Sequence, residues 1–247
     1  MNKLVRAAAT LLSEPAAVRA LLTWPHFSFA SYSMLTALRK QGIAPATVVD
    51  VGANVGQFAV ASARTFPTAK IYSVEPLPDC LPKLRHNTRR LPEVTILPFA
   101  VGERSGSVTF RVNAHAHSSS ILALEDAHRR AFPDAVEQRT IEVPIRTLDE
   151  ILADCPLPRP LLLKLDVQGY ETQALRGASR LLAVTDHLLL EASFRPMYQG
   201  EPAFEELLAL AREAGFRFRR PLDWLADDAT GEILQMDALF ERATETT

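Results

Sequence analysis

The sequence predicts an α/β protein built on a doubly wound, mostly parallel sheet. From residue 47 onwards, short β-branched or leucine-rich runs alternate with helical patterns, as they do in repeated βαβ units. The runs are almost continuously apolar, which is typical of strands buried on both faces; examples are TVVDV, PLLLKLDV and DHLLLEAS. A chain of 247 residues is long enough to bury a large core as one domain.

Two segments stand outside this alternation. Residues 1–46 carry apolar residues at helical spacing, interrupted at Pro15, and predict an N-terminal helical extension to a domain that spans 47–247. The extension could cap the sheet, cover a substrate or join two subunits into a homo-oligomer. Residues 103–146 contain two further strand patterns, GSVTFRVN and TIEVPI, joined by a segment of weak periodicity. We expect this insertion to cap the ligand crevice.

The bulk composition excludes some classes of partner and indicates the cellular compartment. A net charge of −2 gives no electrostatic footprint for nucleic acid. No run approaches the ~18 apolar residues that a transmembrane helix needs, and Glu14-Pro15 closes the first apolar patch before a secretion signal could form. Cys80 and Cys155 lie far apart without metal-ligand spacing, which is typical of free thiols in a reducing compartment. We therefore expect a cytoplasmic protein with neither a nucleic-acid partner nor a membrane span.

The central motif is a glycine turn between the first predicted strand and a helix, TVVDVGANVGQF at residues 47–58. Such a turn brings backbone N–H groups and the positive end of a helix dipole to the carboxyl edge of the sheet, where α/β proteins bind ligands. Asn54 stands where a dinucleotide fingerprint has its middle glycine, and the turn lacks the G-K-[ST] of a Walker loop. The turn therefore favours an adenosine-containing ligand with an amino-acid end over a pyrophosphate.

An acid at the end of the next predicted strand completes this pattern. Glu75 follows Gly52 by about 20 residues, the usual distance for a carboxylate that binds ribose hydroxyls. Pro76 restricts Glu75 to an extended conformation and so holds its carboxylate at the strand end. We expect Glu75 to face the same ligand as the glycine turn.

Several segments, in this order, resemble the FkbM-type methyltransferases over about residues 47–220: VVDVGANVGQF, YSVEPLPDCLPKLRHN, LPFAVGERSG, TLDEIL, LLKLDVQGYETQALRGA and LLLEASFRPMYQG. The family consists of class I enzymes, which use S-adenosylmethionine on a Rossmann-like sheet of seven strands. In this chain Asp166-Val167-Gln168-Gly169 replaces the D-V-E-G element that is usual in the family, while Glu171 still matches.

The resemblance implies how the cofactor and the acceptor are bound. The glycine turn would hold the methionine end of S-adenosylmethionine through four residues: Asp50, Gly52, Asn54 and Gly56. Glu75 would bind the ribose, and Ala100 and Val101 would lie beside the adenine. Because members of the family modify natural products, glycans and glycolipids, the acceptor would be a small or carbohydrate-like hydroxyl compound.

The strand LLLKLDV is the predicted centre of the chemistry. Lys164 and Asp166 project to the same side, because side chains alternate along a strand. Either they form a mutually satisfied buried pair, or Asp166 is the general base and Lys164 supports it. Glu191 ends the following strand and could converge on Asp166. The strand is not followed by the [ND]-P-P-[YF] element that many N-methyltransferases carry, which favours an oxygen acceptor.

The two acids, Asp166 and Glu191, could instead bind a divalent cation such as Mg²⁺, as in metal-dependent catechol-type enzymes. The sequence offers no clear third ligand. In the metal-dependent mechanism, the cation would activate the acceptor hydroxyl. In the metal-free mechanism, a general base would do so.

The insertion contributes further candidates. If their segment is a strand, His115 and His117 point the same way and could form a base or metal pair; in a loop they would be solvated side chains without such a role. The serines that follow resemble a serine-rich element of the family, so Ser118 and Ser119 are predicted to face the substrate. Tyr198 either lines the acceptor site, as the same resemblance implies, or packs within its loop.

Two other functions stay open on the sequence. An NAD(P)-dependent oxidoreductase would use a similar fold, although Asn54 in place of the middle glycine counts against it. A non-catalytic cofactor-binding protein is favoured by Gln168, which replaces the usual glutamate. The intact turn and Glu75 count against this second alternative.

Overall fold

The computed structural model describes residues 11, 14–113, 119–125, 137–227 and 230–243. Most of the described strands belong to a seven-stranded sheet, and a smaller three-stranded sheet completes the architecture. Two apolar cores lie against the large sheet, one centred on its leucine-rich strands and one shared with the N-terminal helices.

The large sheet contains the strands β1 (Thr47–Val51), β2 (Lys70–Val74), β3 (Val94–Leu97), β7 (Leu161–Leu165), β8 (His187–Ser193), β9 (Phe216–Ala226) and β10 (Ile233–Arg242). Their order is β3-β2-β1-β7-β8-β10-β9. The first five are parallel, and β10 runs antiparallel to both of its neighbours. The prediction of a doubly wound, mostly parallel sheet is confirmed. The strand order reverses between β1 and β7, and ligands of such sheets bind at this switch point.

Eight helices surround the sheet in the described ranges: α1 (Pro15–Thr23), α2 (Phe29–Lys40), α3 (Gln57–Thr65), α4 (Leu81–Thr88), α5 (Leu148–Ile151), α6 (Glu171–Arg176), α7 (Ser179–Val184) and α8 (Phe204–Glu213). Helices α2 and α3 share a core with β1, in which Leu38, Phe58 and Val48 are buried. Helices α5 to α8 pack on the other core through side chains such as Leu148 and Leu207. The helical pattern expected in residues 1–46 corresponds to α1 and α2 in the described part of that segment.

The small sheet consists of β4 (Ala100–Val101), β5 (Gly106–Asn113) and β6 (Glu137–Arg146), in the order β4-β6-β5. The run VTILPFAV, predicted as a single strand, divides between the two sheets. Its first part pairs with β2, and its second part pairs with β6 through Ala100 and Ile145. Pro98 lies at the division, where it has no N–H to donate to a continuous ladder.

Candidate active site

A cleft of about 590 Å³, including its open mouth, lies at the carboxyl ends of β1, β2 and β7. It brings together seven of the residues predicted from the sequence: Gly52, Asn54, Glu75, Ala100, Val101, Ser119 and Asp166. The rest of the lining is largely apolar, with side chains that sequence reasoning did not single out: Leu77, Phe99, Phe110, Ile121 and Tyr170. Because Phe110 and Ile121 come from the insertion, that segment does form part of the wall.

The glycine turn is folded tightly over the end of β2. Gly52 and Ala53 donate backbone hydrogen bonds to the Val74 carbonyl at 3.0 and 3.1 Å. Gly52 has a φ of +80°, and a Cβ on it would lie 2.9 Å from the carbonyl carbon of Asp166. Only glycine meets both conditions without displacing the backbone. Asn54 has a left-handed φ of +49°, a conformation that asparagine tolerates better than most residues.

Glu75 joins this turn to the loop after β2. One carboxylate oxygen accepts a hydrogen bond from the Asn54 backbone N–H at 2.7 Å, and the other accepts from Leu77 N–H at 2.8 Å. Burial raises the pKa of Glu75 to about 7, although the two N–H donors oppose the rise. Each carboxylate oxygen has a second lone pair, so the group can still accept bonds from ribose hydroxyls.

Asp50 and Gly56, expected to touch the cofactor, support the turn from behind. Asp50 is fully buried, and Lys164 Nζ lies 3.4 Å from its Oδ1. Neither Asp50 oxygen has a hydrogen-bond partner among the described residues, and burial raises the pKa of this carboxyl group. Gly56 precedes α3 at a φ of +93°, where a Cβ would lie 2.7 Å from Leu84 Cδ1. Gly56 therefore lets the turn pack against α4, and neither residue belongs to the lining of the cleft.

Lys164 and Asp166 face each other at the end of β7. Lys164 Nζ donates to Asp166 Oδ2 at 3.1 Å, and it lies 5.2 Å from the centre of the Phe58 ring. The lysine is buried, while the Asp166 side chain is 31% exposed and lines the cleft. Burial alone would lower the pKa of Lys164, but Asp166 and Asp50 outweigh that effect and leave it raised. Lys164 is therefore a fixed positive charge beside the Asp166 carboxylate, which a ligand in the cleft can contact.

Glu191 is connected to this pair through Gln168, which the sequence indicated only as a departure from the family's usual element. Gln168 Nε2 donates to Asp166 Oδ1 at 2.6 Å and to Glu191 Oε2 at 2.8 Å. Burial, with the nearby Asp166 charge, raises the pKa of Glu191 well above its ordinary value. The signal available in the sequence was a polar residue placed just after Asp166, where the family has a glutamate.

Tyr198 and Ser119 are placed differently from each other. Tyr198 is fully buried beside Leu124 and Met197, and its hydroxyl donates to Gln168 Oε1. It thus supports the polar network from within the protein, and it is not among the residues that line the cleft. Ser119 lines the cleft, and its Oγ accepts from the Asn113 backbone N–H at 3.0 Å. His115, His117 and Ser118 lie outside the described residues.

The acid pair does not have the donor set of a metal site. Within the described ranges, no group of three or more His, Cys, Asp and Glu side chains could hold a metal ion. Asp166 already faces the Lys164 ammonium, and the Gln168 amide directs its hydrogens at both Asp166 and Glu191. A cation between these acids would meet donors where it needs oxygen lone pairs.

A second cavity of about 260 Å³ opens beside Glu191. Its polar wall comes from three carboxylates on adjacent strands, because Glu191 pairs with Asp237 and Asp237 pairs with Asp223. Trp224, which is 40% exposed, also lines it. Gln168 therefore contacts one acid of the main cleft and one acid of this second cavity.

The strand order, the antiparallel β10 and the acid after β2 define a Rossmann-like class I methyltransferase fold. Residues 50–218 match the methyltransferase FkbM domain, and the chain belongs to this family. The family and the fold imply S-adenosylmethionine as cofactor. This membership supports the methyltransferase interpretation and neither the oxidoreductase nor the binding-protein alternative.

Relatives of known name are consistent with this membership. The chain is 27% identical to the hexuronic acid methyltransferase AglP of Haloferax volcanii, over 58% of this chain and 54% of that protein, so it spans about half of that relative's length. It is 24% identical to the 2-O-methyltransferase NoeI of Sinorhizobium fredii, over 66% and 70% of the two chains. A presumed O-methyltransferase of Klebsiella pneumoniae shares the fold, with a TM-score of 0.50, 12% identity and coverage of 87% and 80%.

None of the described helices is both long and apolar enough to cross a bilayer.

Proposed function

We propose that the protein is an S-adenosylmethionine-dependent O-methyltransferase that acts on a hydroxyl group of a small or carbohydrate-like molecule. One observation carries the proposal: Asp166, a carboxylate held by a buried lysine, lines the same cleft as Gly52 and Glu75. The cofactor residues and a candidate base are thus within reach of one bound ligand pair.

The residues of the cleft fit the proposed cofactor. The glycine turn lines the cleft through Gly52 and Asn54, where its backbone can approach a ligand's amino-acid end. Glu75 offers lone pairs to the ribose, while Ala100, Val101 and Phe99 provide an apolar surface for adenine. When bound, the cofactor supplies a methyl group on a sulfonium centre, which leaves as a neutral thioether after in-line displacement.

Asp166 is the proposed general base. The acceptor hydroxyl gives its proton to the Asp166 carboxylate as its oxygen forms a bond to the methyl carbon and the carbon–sulfur bond breaks. Lys164 favours the ionised form of Asp166 before the reaction, since an adjacent positive charge stabilises a carboxylate. A positioned base typically contributes about 10²- to 10⁴-fold to such a step. His115 and His117 stay candidates for the same role.

We propose that this chemistry proceeds without a divalent cation. Lys164 already places a positive charge 3.1 Å from Asp166, and Gln168 occupies the space between the two acids with an amide donor. Turnover should therefore be unaffected by a chelator and unchanged by added Mg²⁺. A requirement for Mg²⁺ would restore Asp166 and Glu191 as candidate ligands.

The second cavity supports a neutral acceptor. Both relatives described above carry names that point to sugar or hydroxyl methylation. In this chain Asp223 and Asp237, in the wall of the second cavity, disfavour a carboxylate on the acceptor, because like charges repel at short distance. Trp224 offers an aromatic face on which a sugar ring can pack. A neutral sugar hydroxyl fits this surface better than a uronic acid.

The proposed compartment is the cytoplasm, and the proposed site of self-association is the N-terminal helices. Cys80 and Cys155 are both free thiols, which supports a reducing, cytoplasmic location. Association of copies through α1 and α2 stays a prediction, for which sedimentation of the purified protein is the test.

The function can be tested with tritium-labelled S-adenosylmethionine and matched pairs of acceptors. Methyl glucoside and methyl glucuronide differ in one carboxylate, and a panel of such pairs separates neutral from anionic sugars. We expect label in neutral glycosides and little in their uronic counterparts. Transfer to none of the panel, or a consistent preference for the uronic acids, would contradict the proposed acceptor class.

A further inference from the structure

The Gln168 amide is the only described group that donates hydrogen bonds to both Asp166 and Glu191. Its nitrogen lies 2.6 Å from an Asp166 oxygen and 2.8 Å from a Glu191 oxygen. A primary amide has two N–H donors, so one reaches each acid. The bridge joins the end of β7 to the end of β8 without adding a charge.

The orientation of this amide is determined by its surroundings. Tyr198 donates its hydroxyl hydrogen to Gln168 Oε1, on the opposite side from the acids. A flipped amide would direct an oxygen at two carboxylates and a nitrogen at a donor. The bridging arrangement is therefore the one that satisfies every partner.

The backbone of Gln168 is held as firmly as its side chain. Its carbonyl accepts a 2.7 Å hydrogen bond from Ser120 Oγ, and the Val167 N–H before it donates to Glu171 at 3.0 Å. Its φ is +57°, a left-handed conformation that side-chain-bearing residues rarely adopt. Strained backbone of this kind persists where the surrounding structure over-determines it, and such positions cluster at functional sites.

We propose that Gln168 is a positioning residue, which ties Asp166 and Glu191 into one hydrogen-bonded unit and so aims the Asp166 carboxylate at the acceptor hydroxyl. The inference rests on the proposed methyl transfer and deepens it. A glutamate at this position would bring a third carboxyl into contact with two others, and the group would need an extra proton to stay together. The amide bridges them without that proton, so Asp166 can stay ionised and able to accept the acceptor's hydrogen.

The test measures the protonation of Asp166 directly, by ¹³C NMR titration of protein labelled at the aspartate carboxyl carbons. Asp166→Asn assigns the signal. Among the described residues, the charged and titratable groups around Asp166 and its partners are Lys164, Asp50, Glu75, Glu171, Glu191, Glu201, Tyr198 and Asp237. They are the same in every variant compared, apart from those exchanged by design. The measurement needs neither cofactor nor acceptor.

Gln168→Leu removes the donor and keeps the size of the side chain, and Gln168→Glu replaces the donor with a third acid. We expect the Asp166 midpoint to rise by about one pH unit in Gln168→Leu, since loss of a hydrogen bond to the charged form disfavours that form. The rise should be larger in Gln168→Glu. Tyr198→Phe, which frees the amide to rotate, should shift the midpoint in the same direction by less. Gln199→Glu adds the same charge at a neighbouring exposed position and should leave it unchanged.

Kinetics provide the second readout. In both Gln168 variants kcat should fall by about 100-fold, the loss typical of a misplaced catalytic group, with little change in the affinity for S-adenosylhomocysteine. An unchanged Asp166 midpoint in folded Gln168→Leu and Gln168→Glu would overturn the inference, as would full turnover by either variant. Failure of the wild-type protein to bind S-adenosylhomocysteine would instead refute the proposed function, and the titration would still be readable.

Discussion

The backbone carbonyl of Asp166 lies directly over Gly52, so that a Cβ on the glycine would approach its carbonyl carbon to 2.9 Å. Asp166 N–H also donates to the Val51 carbonyl at 3.2 Å, which fixes the end of β7 to the end of β1. The turn proposed to hold the cofactor and the strand that carries the proposed base are therefore in direct contact. A change at one should be felt at the other.

Gly52→Ala should disrupt this contact. The added methyl overlaps backbone that has no room to move, so we expect a loss of about 1–3 kcal/mol in stability and a clear loss of cofactor affinity. Thermal unfolding and titration with S-adenosylhomocysteine provide the two readouts.

Gly42→Ala is the matched control for that variant. Gly42 has a similar φ of +76°, but nothing lies within 4 Å of its virtual Cβ. It reports the cost of a left-handed alanine alone. If Gly52→Ala behaves like Gly42→Ala, the close approach to Asp166 has no consequence.

Glu75 should make cofactor affinity depend on pH. Burial raises its pKa to about 7, so the carboxylate that accepts ribose hydrogens becomes protonated as the pH falls below that value. Affinity for S-adenosylhomocysteine should therefore weaken from pH 8 towards acid. Glu75→Gln should bind about 10- to 100-fold more weakly at pH 8, since a hydrogen bond to a charged acceptor contributes about 1.5–3 kcal/mol. It should lose most of the pH dependence. Calorimetry across the pH range provides the comparison.

Glu171→Gln distinguishes Glu75 from a second buried acid near the cleft whose pKa is also raised. Burial raises the pKa of Glu171 to about 8, and its carboxylate accepts from the Val167 backbone N–H. This variant should keep the pH dependence of binding. A flat pH profile of binding in Glu171→Gln, or an unchanged pH profile in Glu75→Gln, would show that Glu75 is not the titrating group.

The raised pKa of Glu75 has a further consequence for stability, with its own sign. The folded state binds the Glu75 proton more tightly than the unfolded state, in which the carboxyl group has its ordinary pKa of 4.5. Ionising this group therefore lowers the free energy of unfolding as the pH rises from about 4.5 to 7. Glu75→Gln removes that penalty, so its stability relative to wild type should improve over this window. Urea denaturation at several pH values measures it, and a relative stability that falls over the window would contradict the prediction.

Lys164→Met should leave two acids without their cation. Asp50 is fully buried and Lys164 lies 3.4 Å from it, so we expect a loss of about 3–5 kcal/mol at pH 7 by urea denaturation. The contribution of a lysine with a raised pKa is fully present below about pH 10.4 and is lost as the pH rises through the folded value. The deficit should shrink at acid pH, where Asp50 takes up a proton.

The double variant Lys164→Met/Asp50→Asn is the control for this prediction. It removes the buried charge together with its partner and should regain part of the stability. If the double variant is less stable than Lys164→Met, the unpaired Asp50 carboxylate is not what destabilises the single variant.

Asp166→Asn should stop turnover while cofactor binding continues. We expect kcat to fall about 10²- to 10⁴-fold, as for loss of a general base, with Kd for S-adenosylhomocysteine little changed. Asp154→Asn, an exposed aspartate just before β7, is the matched control and should stay active. Full activity in Asp166→Asn would return His115 or His117 to the role of base.

Much of the fold could be predicted because it depends on local patterns. The apolar runs of β1, β7 and β8 and the two strands of the insertion are visible along the chain. The division of VTILPFAV was missed because it depends on which sheet offers a partner after Pro98, a question of tertiary pairing. For the same reason, the closure of β4 on β6 through Ile145 has no local signature.

The site divides along the same line. Gly52, Asn54 and Glu75 could be found because turn geometry and spacing along one βα unit place them. The outward position of Asp166 and the buried position of Tyr198 depend on packing between distant segments. Gln168 was noticed only as a departure from a familiar element, because its bridge to Glu191 requires the juxtaposition of β7 and β8.

The most direct test of the account is calorimetric titration of wild-type protein and Glu75→Gln with S-adenosylhomocysteine at pH 8, with reduced nicotinamide cofactor as the competing ligand. We predict about micromolar binding by wild type, binding weakened about 10-fold or more by the substitution, and no binding of the nicotinamide. Folded wild-type protein that binds the nicotinamide and shows no heat with S-adenosylhomocysteine would contradict it.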